Sequence, residues 1–294
     1  MLNLVRGVLG ILTVIYAFMF GKDYKESAQN GRLASEEEGP LKPAIIGGIA
    51  NFGDTLGIGS FAPIVAMTKF TKMKVHDKEI PGMLNVGCCI PVITEALIFT
   101  TTIEVEPITL ITMLAAAGAG SYIGAGIISK MDEKKIQLVM GIALLVTAIL
   151  MFLSHPWISL MPGGGNEIGL SGVRLVIGIV GNFILGALMT AGIGLYAPCM
   201  ALVYFLGMSP KVAFPIMMGS CAVLMPIASA KFIKEGQFPR KASLAITIGG
   251  VLGVFIAFYL VKSLPMDILK VLVIIVILYT SFTMLKPVLS KKQA

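Results

Sequence analysis

The chain has 294 residues, 56% of them hydrophobic and 13% charged, with a mean hydropathy of +0.90 and a formal net charge of +7. A soluble domain carries roughly 25% charged residues, so this composition excludes water as the main solvent. The excess of cations is no nucleic-acid signal either, because Lys and Arg gather in short loops between apolar stretches.

Apolar segments of spanning length run over 4–20, 82–103, 107–129, 136–154, 213–230, 242–261 and 267–285. Each approaches the ~20 residues that a bilayer core requires. The first lacks a convincing small-x-small cleavage site and reads as an N-terminal transmembrane helix within 1–20, not a signal peptide. Residues 21–43, with Glu36-Glu37-Glu38, read as a charged cytoplasmic connector. Residues 44–155 form a first unit, 156–171 a linker containing Pro162-Gly163-Gly164-Gly165, and 172–294 a second unit. Two further apolar stretches, 44–68 and 172–206, open these units.

The units repeat at an offset of 135 residues. Gly57, Ile58, Gly59, Ala62 and Pro63 recur as Gly192, Ile193, Gly194, Ala197 and Pro198; Met83, Pro91 and Gly118 recur as Met218, Pro226 and Gly253. A shared register without a net gap marks two copies of one structural unit. Assigning 21–43, 69–80, 130–135, 231–241 and 286–294 to the cytoplasm places 18 of the 23 Lys and Arg there. The positive-inside rule then sets the N-terminus outside and the C-terminus inside. Matching loops carry opposite charge: basic 69–80 against 206–212, and the cation-free turn near 105 against basic 231–241. The copies are therefore expected to be inverted, which needs an odd number of crossings per unit.

Three ordinary spans per unit supply that parity if 44–68 and 172–206 cross an even number of times. Segment 44–68 is too short for two full crossings, so it reads as a re-entrant hairpin. Segment 172–206 reads as its partner, with two short full spans left open as the alternative. The expected fold is an all-α polytopic membrane protein of two inverted repeats, about seven transmembrane helices plus two re-entrant, broken helical hairpins. A second half-helix should start at about Ser60 and Leu195, with Pro63 and Pro198 in its first turn, where a missing N–H costs nothing. Gly57, Gly59, Gly192 and Gly194 permit a sharp reversal and close approach of a ligand. The first-turn N–H groups carry roughly +0.5 charge, and two such helix ends meeting at the midplane make an anion site.

The tips Gly-Ile-Gly-Ser-Phe-Ala-Pro and Gly-Ile-Gly-Leu-Tyr-Ala-Pro, each followed by a Pro-containing span, resemble the TauE/SafE sulfite exporter family. The resemblance runs from about 44 to 286, with the family's downstream small-hydroxyl element falling near Leu84-Asn85-Val86 and Gly219-Ser220-Cys221. Ser60 and Leu195 stand where the family has a third glycine, and Asn85 where it has a small hydroxyl. The resemblance implies a duplicated membrane transporter that moves sulfite, sulfonates or related organosulfur anions outward.

Polar side chains within apolar segments are the remaining candidates. Asp54 lies three residues before Gly57, and Glu95 lies in mid-span, where an ionised acid costs at least ~2.5–3.5 kcal/mol. Their matches in the other copy are Met189 and Ala230, an asymmetry that suits proton coupling better than substrate binding. Substrate-binding candidates are Gly57, Gly59, Ser60, Asn85, Gly192, Gly194, Tyr196 and Ser220, supported by Asn51, Thr55, Asn182 and Thr190. For each polar side chain, bonding to a neighbouring helix is an equal alternative. Cys88, Cys89, Cys199 and Cys221 lie in apolar segments without metal-ligand spacing, and the 18 Met are scattered through the spans. No nucleotide-binding motif or hydrolytic constellation appears, and no cofactor is expected. The expectation is a secondary transporter, not an enzyme, in the plasma or inner membrane. Its partners are a small anion and the bilayer, with homo-oligomerisation open. The alternatives are a membrane-embedded enzyme or receptor whose tips only pack, and a soft-metal exporter.

Overall fold

The computed structural model describes residues 2–99, 104–153, 158, 160, 165–192, 194–260 and 266–289. Pro162, Gly163, Gly164 and Ile193 lie outside the described residues. Within them the chain forms helices α1 (Leu2–Gln29), α2 (Arg32–Ser35), α3 (Leu41–Thr55), α4 (Phe61–Phe70), α5 (Ile80–Phe99) and α6 (Pro107–Ile128). These are followed by α7 (Glu133–Leu153), α8 (Gly172–Met189), α9 (Tyr196–Phe205), α10 (Pro210–Glu235), α11 (Arg240–Leu260) and α12 (Met266–Leu289). A 3₁₀ turn, Asp77–Glu79, leads into α5.

Six of these helices are long and apolar enough to cross a membrane: α1, α5, α6, α8, α10 and α11, the span of α5 including the turn before it. Of the expected spans 136–154 and 267–285, residues 136–153 and 267–285 are helical, in α7 and α12. The chain is thus an all-helical, multi-pass membrane protein. The stretch 44–68 is broken into α3 and α4, and 172–206 into α8 and α9. At 1.5 Å per residue, α4 and α9 each cover about 15 Å, half of a ~30 Å hydrocarbon core. α8 covers about 27 Å and nearly reaches across. Helix α1 continues to Gln29, past the apolar stretch, because Lys22 and Glu26 pair on one face and Asp23 meets Arg240 of α11.

Helices α5 and α10 form the centre: 83% of each apolar window is buried, against 17% for α1 and 22% for α8. The others pack around them by exchange between units. α3 packs on α11 and α8 on α6; α5 meets α11, and α10 meets α6; α4 touches α12, and α9 touches α7. Each pairing has its counterpart at the 135-residue offset. The seams are lined by glycine: a Cβ on Gly249 would lie 1.9 Å from the Ala44 carbonyl oxygen, and one on Gly186 2.2 Å from that of Ala117. Without side chains there, the helices approach backbone to backbone, the usual way helices gain contact where lipid removes the hydrophobic drive. Hydroxyls add bonds across the seams, Thr247 donating to the Gly87 carbonyl at 2.8 Å and Ser121 to that of Leu224 at 3.1 Å.

The 21–43 connector holds the basic end of the molecule together. Glu36 accepts from the backbone N–H groups of Arg240 and Lys241, both at 2.8 Å, and so caps α11. Glu38 accepts from the Lys74 N–H at 2.7 Å. The Glu36-Glu37-Glu38 run, read from sequence as connector alone, thus ties the loop after α4 to the start of α11.

Candidate functional site

The first break is built by its glycines. α3 ends in a paired reversal: Gly57 N–H donates to the Asp54 carbonyl at 2.8 Å, and Ile58 N–H to that of Gly53 at 3.0 Å. This is the Schellman pattern, which needs a left-handed residue after the cap. Gly57 supplies it at φ 87°, and Gly59 turns the chain again at φ 89°. Ser60 then immediately precedes α4, placing Pro63 in the first turn. In the second break Gly192 takes φ 99° and donates to the Met189 carbonyl at 2.9 Å. Leu195 immediately precedes α9, with Pro198 in the first turn of the helix. Both half-helix starts fall where the sequence placed them. Among the described residues, nothing lies within 4 Å of a Cβ placed on Gly194.

Polar side chains gather at these breaks. Asp54, 2% exposed at the end of α3, accepts from Ser60 Oγ at 2.6 Å. Glu95, fully buried in α5, lies between the two breaks. Thr55 Oγ1 is 2.8 Å from its Oε1, and the Tyr196 hydroxyl donates to its Oε2 at 3.1 Å. Thr55 ends α3, and Tyr196 opens α9, so one carboxyl of the first unit joins both tips. Thr55 Oγ1 also lies 2.9 Å from the Asn51 carbonyl oxygen. A hydroxyl has one proton to give. Both contacts are satisfied at once when Thr55 donates to Asn51 and accepts a proton-bearing bond from Glu95.

Each tip rests on a central helix. A Cβ on Gly57 would meet Phe214 of α10 at 4.0 Å, and one on Gly192 would meet Leu84 of α5 at 3.5 Å and Met140 of α7 at 3.0 Å. Asn85 and Ser220, equivalent in the two units, are engaged within the bundle. Asn85 Nδ2 donates to the Pro81 carbonyl at 2.8 Å, and Ser220 Oγ accepts from Asn182 Nδ2 at 2.8 Å. Thr190 donates back to the Ala187 carbonyl. Asn51, Asn85 and Asn182 each keep a buried Oδ1 without a hydrogen-bond partner among the described residues, a costly condition where water is excluded.

The Tyr196–Glu95–Thr55 link between units is what sequence reasoning missed. Each residue stood out as polar within an apolar segment, but only the exchange of packing partners brings them together. All four cysteines are buried and free. Among the described residues, no group of three or more His, Cys, Asp or Glu is placed to hold a metal.

Two helices broken at matching positions, their ends meeting polar groups buried inside an apolar bundle, define a polytopic membrane protein with irregular backbone inside its helix bundle. Such backbone persists only where protein or a watery cavity covers it. The chain matches the sulfite exporter TauE/SafE family over residues 2–151 and 174–294, and it belongs to that family. Neither curated proteins nor solved structures give a match.

Proposed function

We propose that this protein is a secondary transporter that exports a small anion, such as sulfite, a sulfonate or a related organosulfur or carboxylate anion, by alternating access coupled to protons. The observation that carries the reading is the Glu95 bridge between Thr55 of one tip and Tyr196 of the other. Membership in a membrane-transporter family supports the class.

In this reading α3–α4 and α8–α9 are re-entrant hairpins of inverted repeats, entering from opposite faces. The exchanged helix packing and the opposed loop charges support that arrangement. The first-turn amides of α4 and α9 receive the anion, since they carry partial positive charge and have no intrahelical partners. Gly57, Gly59, Gly192 and Gly194 keep side chains out of its path. Asn85 and Ser220, engaged in the resting arrangement, are groups the anion would recruit only on rearrangement. Asp54 and Glu95 each carry a proton when an anion is bound nearby, because two ionised carboxyls beside it would repel it. Releasing those protons expels the anion, which couples the two movements.

Proteoliposomes containing the purified protein test this directly. Counterflow of labelled sulfite or methanesulfonate, accelerated by a proton gradient, is expected. Glu95→Gln keeps the acceptor for Tyr196 but fixes the neutral form, so exchange persists while its dependence on the gradient disappears. Asp54→Asn is expected to flatten the same pH profile. No counterflow with any sulfur oxyanion, sulfonate or carboxylate would reject the transporter assignment. Unchanged gradient dependence in both variants would reject the coupling alone.

A further inference from the structure

Helix α1 has no counterpart in the duplicated units, and it covers α10 only in part. Between them, closed on the third side by Tyr122 of α6, lies a cavity of about 420 Å³ open to the surface. Leu12, Ile15 and Met19 of α1 face Pro226, Ile227 and Ala230 of α10 across it. Ile15 and Tyr122 remain 50% and 54% exposed, and in a membrane protein that exposure is to lipid. The one hydroxyl on the α1 wall, that of Tyr16, is already spent on the Val86 carbonyl at 2.6 Å. The groove is therefore apolar along its length.

Its mouth is not. Lys231 and Lys234, one helical turn apart at the end of α10, stand at the rim. Lys231 Nζ lies 4.0 Å from the centre of the Tyr122 ring, which holds it over the groove. Neither lysine has a carboxylate partner among the described residues, whereas Lys69, Lys74, Lys135 and Arg240 each do. Two unneutralised ammonium groups above an apolar slot match a molecule with a negative head and hydrocarbon tails. The positive-inside placement of 231–241 sets this mouth at the cytoplasmic leaflet, where anionic lipid headgroups give the surface its negative potential.

We propose that the groove between α1, α6 and α10 is a binding site for an anionic phospholipid, its phosphate held by Lys231 and Lys234 and an acyl chain lying along α1. The site is distinct from the helix breaks and does not depend on what is transported. Bound lipid completes the contact between α1 and the duplicated core.

Thermal unfolding of the delipidated, detergent-solubilised protein tests it, with dioleoylphosphatidylglycerol or dioleoylphosphatidylcholine added. Ligands that bind only the folded state raise its apparent stability. Phosphatidylglycerol is expected to raise the midpoint and phosphatidylcholine to raise it far less. Lys231→Gln with Lys234→Gln should weaken the phosphatidylglycerol response about 30-fold in lipid concentration, from the usual gain per basic residue near anionic lipid. Lys25→Gln with Lys134→Gln, which removes the same charge elsewhere, should leave it intact. Ala230→Phe fills the groove without changing charge and should also abolish the response, with retained lipid adducts in native mass spectrometry as a second measure. Equal responses to the two lipids overturn the proposal. So does a phosphatidylglycerol response that survives the Lys231/Lys234 change, or one that falls equally in the control pair.

Discussion

Gly57 and Gly194 look interchangeable in sequence, each within a Gly-Ile-Gly tip, yet their surroundings differ. Gly57 is held at φ 87° by two capping hydrogen bonds, whereas no described atom lies within 4 Å of a Cβ placed on Gly194. Gly57→Ala should therefore destabilise the protein by about 1–2 kcal/mol, the usual penalty of left-handed backbone with a Cβ. Gly194→Ala should stay within about 0.5 kcal/mol. Thermal unfolding in detergent compares them, and a loss of transport in Gly194→Ala without a loss of stability would locate the anion's path beside it. The glycines, Asp54 and Glu95 were legible in the sequence because each breaks the local apolar pattern. The partners of Glu95 were not, since Thr55 and Tyr196 reach it only through contacts between distant helices. Asn85 and Ser220 occupy equivalent positions in the sequence, and their bonds are made within the bundle.

At the scale of the element, helix starts explain more than helix lengths. α6 and α11 are equivalent, and each has its first amides satisfied by a glutamate. Glu106 does this locally, accepting from the N–H groups of Ile108 at 3.1 Å and Thr109 at 2.7 Å. For α11 the same task falls to Glu36, far back in the chain. The bonds from the Thr109 hydroxyl and amide hold the Glu106 carboxyl below its ordinary value of 4.5. A carboxyl so lowered contributes stability that is fully present above that ordinary value and is lost as pH falls through its folded value. The midpoint gap between the wild-type protein and Glu106→Ala should therefore be constant near neutrality and close on acidification below about pH 4.5, which unfolding scans at several pH values would check. The breaks in α3–α4 and α8–α9 could be read from Gly and Pro spacing. The extension of α1 to Gln29 could not, because it is fixed by Asp23 meeting Arg240.

For the whole molecule, orientation is the expectation that charge placement makes most testable. The four native cysteines are buried, so single introduced cysteines report cleanly. Glu37→Cys and Asn166→Cys both sit at exposed positions. A membrane-impermeant maleimide on intact cells should label Asn166→Cys at once and Glu37→Cys only after permeabilisation. The reverse pattern would invert the topology.

The glycine seams have a consequence for how the protein is made. α3 emerges early from the ribosome, yet the surface that seats it belongs to α11, near the end of synthesis. Until α11 is inserted, Gly48 and its neighbours face lipid with no backbone opposite them. The first half of the chain must therefore wait in the bilayer as loosely associated helices, and maturation of the fold is confined to the last moments of translation or later.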